Sequence, residues 1–351
     1  MPVLEADYLR KLNVALLTKD GVPPHMAEAV SECVLENCLY GHDTHGMCLI
    51  PRFIKDLDSG KIRPEAKTET VKKSACFAVL DAHRGFGQLA ITDAMHKAMQ
   101  IAENTGIAAV TLTNCNHVGI TWTFCREPAE QGMIGMIWCV SGPEGGGGLV
   151  APYGGKTKAI GANPIGVGIP AGKMKPLVLD ISTSVVSGGT VVLYAQQNKR
   201  LPLGWLLDQH GNPTTDPNEL LKGGKLVGNL LPMAGHKGFG LGLIAEILGG
   251  LLTGYGASHS GDFREGQGVF IIVVDVKQFV DLEEFGRQTD AFFEHVKSVA
   301  TDSLTEEILI PGELEYRTRE RRQREGIPVT DPVWSDITAC AQELGVSLDG
   351  R

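Results

Sequence analysis

Short apolar runs that alternate with helical segments fill the middle of the chain, and this alternation most constrains what the protein can fold into. Runs of strand length occur at 76–80, 107–112, 133–138, 166–169, 177–179 and 269–274. Helical spacing of apolar residues marks 88–104, 122–131 and 238–252. Buried strands read as continuous apolar stretches, and their alternation with helices is typical of an α/β protein.

Helical spacing also marks both ends of the chain. Apolar residues recur at helical intervals in 8–16, 24–40, 47–59, 279–299 and 334–344. A length of 351 residues fits about two domains. We therefore predict a helical domain made from residues 1–74 and 277–351, beside a mixed-sheet domain formed by residues 75–276.

Composition argues against several classes of partner. The net charge of −9 makes a broad nucleic-acid surface unlikely. The chain begins with an acidic stretch, and its most apolar region, 239–252, is too short to cross a bilayer and contains Glu246, so we expect no membrane partner. The 8 cysteines form no CxxC pair. We expect buried free thiols, such as Cys76 and Cys139, in a reducing cytoplasm.

The segment between the second and third predicted helices holds candidate chemistry. Thr44, His45 and Gly46 place a hydroxyl, an imidazole and a glycine in a row. Imidazole has the unperturbed pKa closest to neutral pH, so it can give or take a proton during a reaction. A glycine beside it lets another group come close. One loop does not decide the matter, since an ordinary surface loop fits these residues equally well.

Polar residues also follow predicted strands. His117 comes just after the strand at 107–112, and ligands of α/β proteins collect at the carboxyl ends of strands. Asp180 lies in an apolar strand and is followed by Ser182, Thr183 and Ser184. A buried carboxylate needs a cationic or hydrogen-bonding partner. A histidine such as His45 would serve.

Several familiar motifs are absent or incomplete. Gly85-Phe86-Gly87 resembles a dinucleotide fingerprint, but the next strand ends without an acidic residue, so we interpret it as a tight strand-to-helix turn. The sequence 154–157 lacks the first glycine of a phosphate loop. The glycine run 145–148 predicts a mobile loop. HExxH and GxSxG are missing, and we predict no metal site.

Taken together, the order of segments resembles the malate/L-lactate dehydrogenase-type oxidoreductases that lack a Rossmann fold. This group includes sulfolactate, ureidoglycolate and diketogulonate dehydrogenases and the cyclic-ketimine (piperideine-2-carboxylate) reductases. The resemblance runs from about Leu9 to Leu344. Its marks are Asp43-Thr44-His45-Gly46, Gly85-x-Gly87-Gln88, Asn116-His117-x-Gly119, Gly154-Gly155, Gly161-Ala162-Asn163-Pro164, Leu179-Asp180-x-x-Thr183-Ser184, Pro202-x-Gly204-Trp205, Asp208-x-x-Gly211-x-Pro213-Thr214-Thr215-Asp216-Pro217, His236-Lys237-Gly238 and Pro311-Gly312-Glu313.

The resemblance implies a homodimer with a sulfolactate-dehydrogenase-like, non-Rossmann mixed-sheet domain that binds NADH or NADPH. It implies that His45 donates a proton to the substrate, that Thr44 and Asp180 form a relay with it, and that His117 lies by the cofactor and is the base in some members. Residues implied to bind the cofactor are His117, Gly119, Val178, Leu179, Asp180, Ile181, Ser182, Thr183, Ser184, His236, Lys237, Gly312 and Glu313.

The chain departs from the family pattern where the substrate binds. The usual arginine four residues after the histidine is Leu49 here, and Arg52 is the candidate to replace it. We therefore assign Cys48, Leu49 and Arg52 to the substrate side. A usual lysine is Thr190. These changes put a malate- or lactate-like substrate in doubt and favour a less acidic or bulkier one, such as a cyclic imine or a ketone.

The leading prediction is hydride transfer from a dihydronicotinamide to a C=O or C=N carbon, with a cationic His45 neutralising the charge that develops on the heteroatom. Asp180 is expected to raise the pKa of His45. Two alternatives stay open. One is a hydrolase or lyase that uses Thr44, His45 and Asp180 without a cofactor. The other is a former enzyme that now only binds ligands, suggested by the missing arginine at position 49.

Overall fold

A mixed sheet of seven strands forms the centre of the computed structural model, which describes residues 1–142, 148–259 and 266–348. The strands are β1 Val3–Leu4, β2 Glu69–Lys73, β3 Phe77–Asp81, β4 Ile107–Cys115, β5 Met133–Gly142, β6 Ile165–Ile169, β7 Leu177–Ile181, β8 Leu206–Leu207, β9 Pro213–Thr214, β10 Leu221–Lys222, β11 Lys225–Leu226, β12 Asn229–Leu230, β13 Gly266–Asp275 and β14 Ile327–Pro328.

The helices surround this sheet and extend to both ends of the chain. They are α1 Ala6–Lys19, α2 Pro24–Leu39, α3 Leu49–Asp58, α4 Gly87–Thr105, α5 Thr121–Glu130, α6 Gly188–Gln196, α7 His236–Ala245, α8 Leu282–Lys297, α9 Glu313–Glu325 and α10 Asp331–Leu344. A π-helical turn, Glu246–Leu251, continues α7. Of the predicted glycine run 145–148, residues 145–147 lie outside the described part of the chain.

The order of strands in the large sheet is β2-β3-β4-β13-β5-β6-β7. β3 and β4 run parallel, and the remaining neighbours in this sheet are antiparallel. A Rossmann domain has a mostly parallel sheet, so this topology is a different one. The predicted α/β fold with a mixed, non-Rossmann sheet is confirmed. β2 was not predicted, because all five of its residues are exposed and it has no apolar pattern.

Buried apolar side chains in the described residues form three large clusters. The first fills the sheet and the faces of α4 and α5. The second joins α1, α2 and α3 to α10, so both ends of the chain share a core. The third lies around α6 and the short strands β8–β12. Two-residue strands carry no periodic pattern, and the sequence therefore gives no sign of this third cluster.

The predicted domain division is best compared with these clusters. β2 belongs to the large sheet although it precedes residue 75. Tyr316 of α9 packs in the sheet cluster although it follows residue 276. Antiparallel pairing of β1 with β14 also ties the two chain ends together. The boundaries at 74/75 and 276/277 remain a prediction.

All eight cysteines are free thiols. Cys139 is buried in the sheet as expected. Cys76 is exposed, which corrects the expectation for that residue, because it lies in the turn before β3 and not in the strand. Across the described ranges, none of the helices combines the length and apolar character that crossing a membrane requires.

Candidate active site

A short 3-10 turn, Asp43–His45, carries Thr44 and His45 between α2 and α3. Arg322 of α9 donates two hydrogen bonds, of 2.5 and 2.9 Å, to the Asp43 carboxylate. The Asn37 side-chain amide donates to the His45 carbonyl at 2.8 Å. A Cβ on Gly46 would lie 2.3 Å from the sulfur of the buried Cys38, so a larger residue there would force that thiol to move. The turn is thus held from several sides.

His45 and His117 lie face to face. Their ring centroids are 5.3 Å apart and the rings are 13° from parallel. The Thr44 hydroxyl is 3.0 Å from His45 Nδ1. The structure therefore brings together three residues that were singled out from separate segments of the sequence.

His117 is fixed at the end of β4 by its surroundings. The Gly119 N–H donates to His117 Nδ1 at 3.1 Å, so a neutral His117 carries its proton on Nε2. Gln88 at the start of α4 donates to the His117 carbonyl at 3.0 Å. A Cβ on Gly87 would lie 2.2 Å from the Asn116 carbonyl oxygen and 2.4 Å from that of His117. Gly87 is therefore explained by close packing against the loop that carries His117.

Burial lowers the pKa of His45 to about 4, and the nearby positive charges of His42 and Arg52 act in the same direction. Burial also lowers the pKa of His117 well below its ordinary value. Both imidazoles are therefore neutral at neutral pH in the ligand-free protein. This corrects the expectation of a cationic His45 whose pKa is raised by Asp180.

Asp180 on β7 has a different partner from the one predicted. Its carboxylate accepts a hydrogen bond of 2.9 Å from the Trp122 N–H at the start of α5. Burial raises the pKa of Asp180, and hydrogen bonding to Thr121 and Trp122 opposes this, with a smaller effect from His42. The described residues show no hydrogen bond between His45 and Asp180. Burial lowers the pKa of His42, which was not among the predicted site residues, and the Asp180 carboxylate opposes this.

The segment 178–184, expected to line a cofactor, runs between the starts of two helices. At one end, the Val178 N–H donates to the Pro311 carbonyl at 3.0 Å, next to Gly312 at the start of α9. At the other end, the Met233 N–H donates to the Thr183 carbonyl at 3.0 Å, shortly before α7. The segment 178–184 is therefore hydrogen-bonded at one end to the residues before α9 and at the other end to the residues before α7.

The start of α7 carries His236 and Lys237, which are both exposed. In the described part of the chain, the N–H groups of these two residues have no protein acceptor. Free N–H groups at a helix start, together with a lysine, form a favourable place for an anion such as a pyrophosphate.

The predicted substrate residues do not all face the histidines. Leu49 is only 4% exposed and packs in the helical core, because the first turn of α3 buries its apolar side chains. The Cys48 thiol donates to the Asp43 carbonyl at 3.3 Å and packs against the turn. The side chain of Arg52 is 44% exposed, and its charge acts on both His45 and His117.

Lys61 lies near His117 and was not among the residues predicted for the site. Its charge acts on His117, and it shares Asp56 with Arg52 at distances of 3.3 and 3.6 Å. The Asn116 amide also donates to the Lys61 carbonyl at 3.3 Å, which ties this residue to the loop before His117. Lys61 lies in an irregular stretch after α3, where no pattern marks it.

Metal ligands are not grouped in this site. Within residues 1–142, 148–259 and 266–348, no set of three or more histidine, cysteine or acidic residues could hold a metal ion.

Comparison with known proteins gives consistent matches over more than nine tenths of the chain. The family model described as malate/L-lactate dehydrogenase matches residues 4–338. A malate dehydrogenase of Pyrococcus horikoshii is 35% identical over 349 residues, which cover 97% of this chain and 95% of that protein. A Pseudomonas putida protein named Delta(1)-pyrroline-2-carboxylate/Delta(1)-piperideine-2-carboxylate reductase is 31% identical over 334 residues, 92% of either chain.

The structure agrees with these sequence matches. The solved sulfolactate dehydrogenase of Methanocaldococcus jannaschii superposes with a TM-score of 0.88 at 30% identity, covering 99% of both chains. Proteins named dehydrogenases and reductases thus share both sequence and fold with this chain. The protein is an oxidoreductase and belongs to the malate/L-lactate dehydrogenase family.

Proposed function

We propose that this protein transfers hydride between a nicotinamide dinucleotide, NADH or NADPH, and a C=O or C=N carbon of a small carboxylic acid, and that His45 exchanges the accompanying proton. The observation that carries the proposal is the stacked pair His45–His117. The segment 178–184, which runs between the starts of α7 and α9, is the proposed cofactor site. Relatives named for malate and for cyclic imine carboxylates support a substrate of either chemical class.

The residues present fit a dinucleotide. The unpaired N–H groups at the start of α7 and the charge of Lys237 suit the pyrophosphate. At the opposite end of the segment, Gly312 has φ of +102°, and a Cβ there would lie 3.3 Å from the Val178 nitrogen. A side chain would therefore crowd the backbone where α9 meets the segment. We assign cofactor binding to Gly119, the segment 178–184, His236, Lys237 and the Gly312-Glu313 turn, with His117 beside them.

A bound dihydronicotinamide supplies the hydride. His45 supplies or removes the proton, and its neutral state in the ligand-free protein suits removal of a proton from a hydroxyl or amine. Reduction requires the imidazolium, and a substrate carboxylate close to His45 favours that form. The pKa of His45 in the ligand-free protein is about 4, so kcat/KM for reduction is expected to fall as pH rises through the neutral range. The kcat/KM for oxidation is expected to change little over that range.

The substrate carboxylate is proposed to bind Arg52 with help from Lys61. Both are cationic, both act on His117, and Asp56 restrains the two together. Because Leu49 is buried in the helical core, it offers no group to the substrate. This arrangement suits a substrate that carries a carboxylate. The substrate panel described below distinguishes a 2-oxo acid from a cyclic imine.

We also propose a homodimer. α7 and the π-helical turn expose an apolar surface, with side chains between 41% and 56% exposed, which we call the α7 apolar surface: Leu243, Ile244, Ile247, Leu251 and Leu252. An exposed apolar patch of this kind is typical of an interface between proteins. A second copy of the chain is the proposed partner, as the family resemblance implies. Eight free thiols support a reducing compartment such as the cytoplasm.

The test is to follow nicotinamide absorbance with both cofactors and a panel of 2-oxo acids and cyclic imines that carry a 2-carboxylate. Turnover with at least one substrate and quenching of nicotinamide fluorescence on mixing are expected. Absence of binding for both dinucleotides would contradict the proposal and favour chemistry without a cofactor. Binding without turnover on any substrate would favour a protein that has kept only the binding site.

A further inference from the structure

Glu246 is a buried carboxylate with no place in the proposed chemistry. It opens the π-helical turn after α7 and is 5% exposed. Its Oε1 accepts from the Gly161 N–H at 2.9 Å, the Asn163 amide at 2.9 Å and the Ser258 hydroxyl at 2.6 Å. Its Oε2 accepts from the Ser258 N–H at 2.9 Å. All four donors are neutral, and no ion pair to Glu246 occurs among the residues described.

A carboxylate in this setting needs each of these bonds. A buried charge without an opposite charge is costly, and hydrogen bonds to a charged group are about twice as strong as neutral ones. Glu246 therefore holds the turn Gly161–Asn163 firmly. The turn itself is unfavourable for the backbone, since Asn163 has φ of +41°.

The far side of this turn holds the segment proposed to bind the cofactor. The Ala162 carbonyl accepts from the Ser182 hydroxyl at 3.1 Å, the Thr183 hydroxyl at 2.9 Å and the Thr183 N–H at 2.9 Å. One turn thus connects Glu246 with Ser182 and Thr183. A shift of the turn would move both.

The same face of α7 packs directly on Thr183. Gly238, Gly242 and Glu246 follow one another at intervals of four residues, so they lie on one side of the helix. A Cβ on Gly238 would lie 2.7 Å from the Thr183 carbonyl oxygen, and one on Gly242 would lie 3.2 Å from the Thr183 hydroxyl. The helix that begins with His236 therefore packs closely on the segment that contains Thr183.

We propose that Glu246 is a positioning residue, which through the Gly161–Asn163 turn sets the Ser182–Thr183 backbone relative to the start of α7 and thereby sets dinucleotide affinity. The consequence for affinity rests on the proposed function. The mechanical link between Glu246 and Thr183 does not, and it can be measured without any ligand.

The test compares Glu246→Gln with Ser258→Ala. The glutamine keeps the size of the side chain and removes its charge. The control removes one hydrogen bond to the same carboxylate, from a donor that lies outside the Gly161–Asn163 turn. Hydrogen exchange of a peptide covering 180–185 is measured in the dinucleotide-free protein, and dissociation constants for NADH and NADPH are measured by fluorescence titration.

In Glu246→Gln, hydrogen exchange at the Thr183 amide is expected to speed up about tenfold or more. Losing a hydrogen bond to a charged group typically changes a local opening equilibrium by about that factor. The dissociation constant for the dinucleotide is expected to rise about tenfold. In the same variant, kcat at saturation is expected to change less than about threefold. Ser258→Ala is expected to leave exchange at 180–185 close to wild type, even if its Tm falls.

Unchanged exchange at 180–185 in Glu246→Gln, or equal acceleration in both variants, would overturn the proposal. If the wild-type protein binds neither dinucleotide, the proposed function fails while the exchange comparison still decides the link to Thr183. If Glu246→Gln does not fold, Glu246→Asp replaces it. Its shorter carboxylate cannot reach all four donors, so exchange and dissociation constant must rise together, and a rise in neither would again contradict the proposal.

Discussion

At the scale of single residues, the proposed chemistry rests on two imidazoles whose pKa values burial lowers. His45 and His117 are stacked face to face and are each half-buried, and both have lowered pKa values. Such a shift destabilises the folded protein in acid. The unfolded chain takes up a proton on His45 near its ordinary pKa of 6.5, while the folded one does so only near about 4. Stability is therefore lost as pH falls through this window.

A stability measurement on His45→Gln checks this directly. Between about pH 7.5 and about pH 4.5, wild type should lose roughly 2.5 kcal/mol more unfolding free energy than the variant, because the variant lacks the proton linkage. Urea unfolding at the two pH values measures the difference. Equal losses in the two proteins would mean that the pKa of His45 is not lowered by folding.

Sequence reasoning singled out three residues that lie together in the structure, but it did not give the protonation states of the histidines. Thr44, His45 and His117 stood out because an imidazole beside a glycine, or just after a strand, can be recognised from the sequence alone. The Trp122 N–H as the donor to Asp180 could not be found in that way, since only the folded chain brings these two residues together. The pKa of His45 was mispredicted for the same reason, because desolvation depends on what packs around the ring.

At the scale of elements, α3 and the stretch after it bring positive charge to the histidine pair. Arg52→Gln and Lys61→Gln are each expected to raise KM for a carboxylate substrate about tenfold or more, since each loses a charged hydrogen-bond partner. Their kcat should change little. Lys55→Gln, on an exposed position of the same helix, is the matched control and should behave as wild type. Equal effects of all three variants would point to general electrostatics and not to a binding site.

The start of α4 makes a separate prediction. Gly87→Ala is expected to cost about 3 kcal/mol of unfolding free energy or more, since its Cβ would meet the backbone of Asn116 and His117. Gly240→Ala in α7 has no atom within 4 Å of the new Cβ and should be neutral or mildly stabilising. Urea unfolding of both variants is the measurement. A Gly87→Ala protein as stable as wild type would show that this contact is loose.

Elements were predictable where they carried a period or a long apolar run. The central strands and most helices follow such patterns, and the glycines along α7 fit its close packing on Thr183 and on the sheet. β2 was not predicted because it is an exposed strand at the edge of the sheet and has no apolar pattern. The strands β8–β12 have two residues each, which is too short for any period.

At the scale of the whole molecule, the two ends of the chain meet in one helical core, and the seven-stranded sheet has a core of its own. That both ends share a core could be expected from the helical pattern at each end, but their pairing through β1 and β14 could not, since strands of two residues leave no pattern. The site lies where these parts meet, with His45 from the helical part and His117 from the end of β4.

The α7 apolar surface carries the prediction about assembly. Ile247 is 54% exposed there, and Ile247→Lys is expected to convert a dimer to a monomer, because a charge in an apolar interface is costly. Leu304→Lys, at a position 93% exposed on another part of the surface, is the control and should leave the assembly unchanged. Light scattering after size-exclusion chromatography measures both. A wild-type protein that is monomeric at assay concentration would contradict the proposed homodimer.

The central claim is that His45 moves a proton during reduction or oxidation by a bound nicotinamide. The most direct measurement is kcat of wild type and His45→Gln on the best substrate of the panel, together with dinucleotide affinity by fluorescence. A loss of kcat of roughly 100-fold or more with a dissociation constant within about threefold of wild type is the predicted result. A variant that keeps near-normal kcat would contradict the claim, whatever substrate the panel identifies.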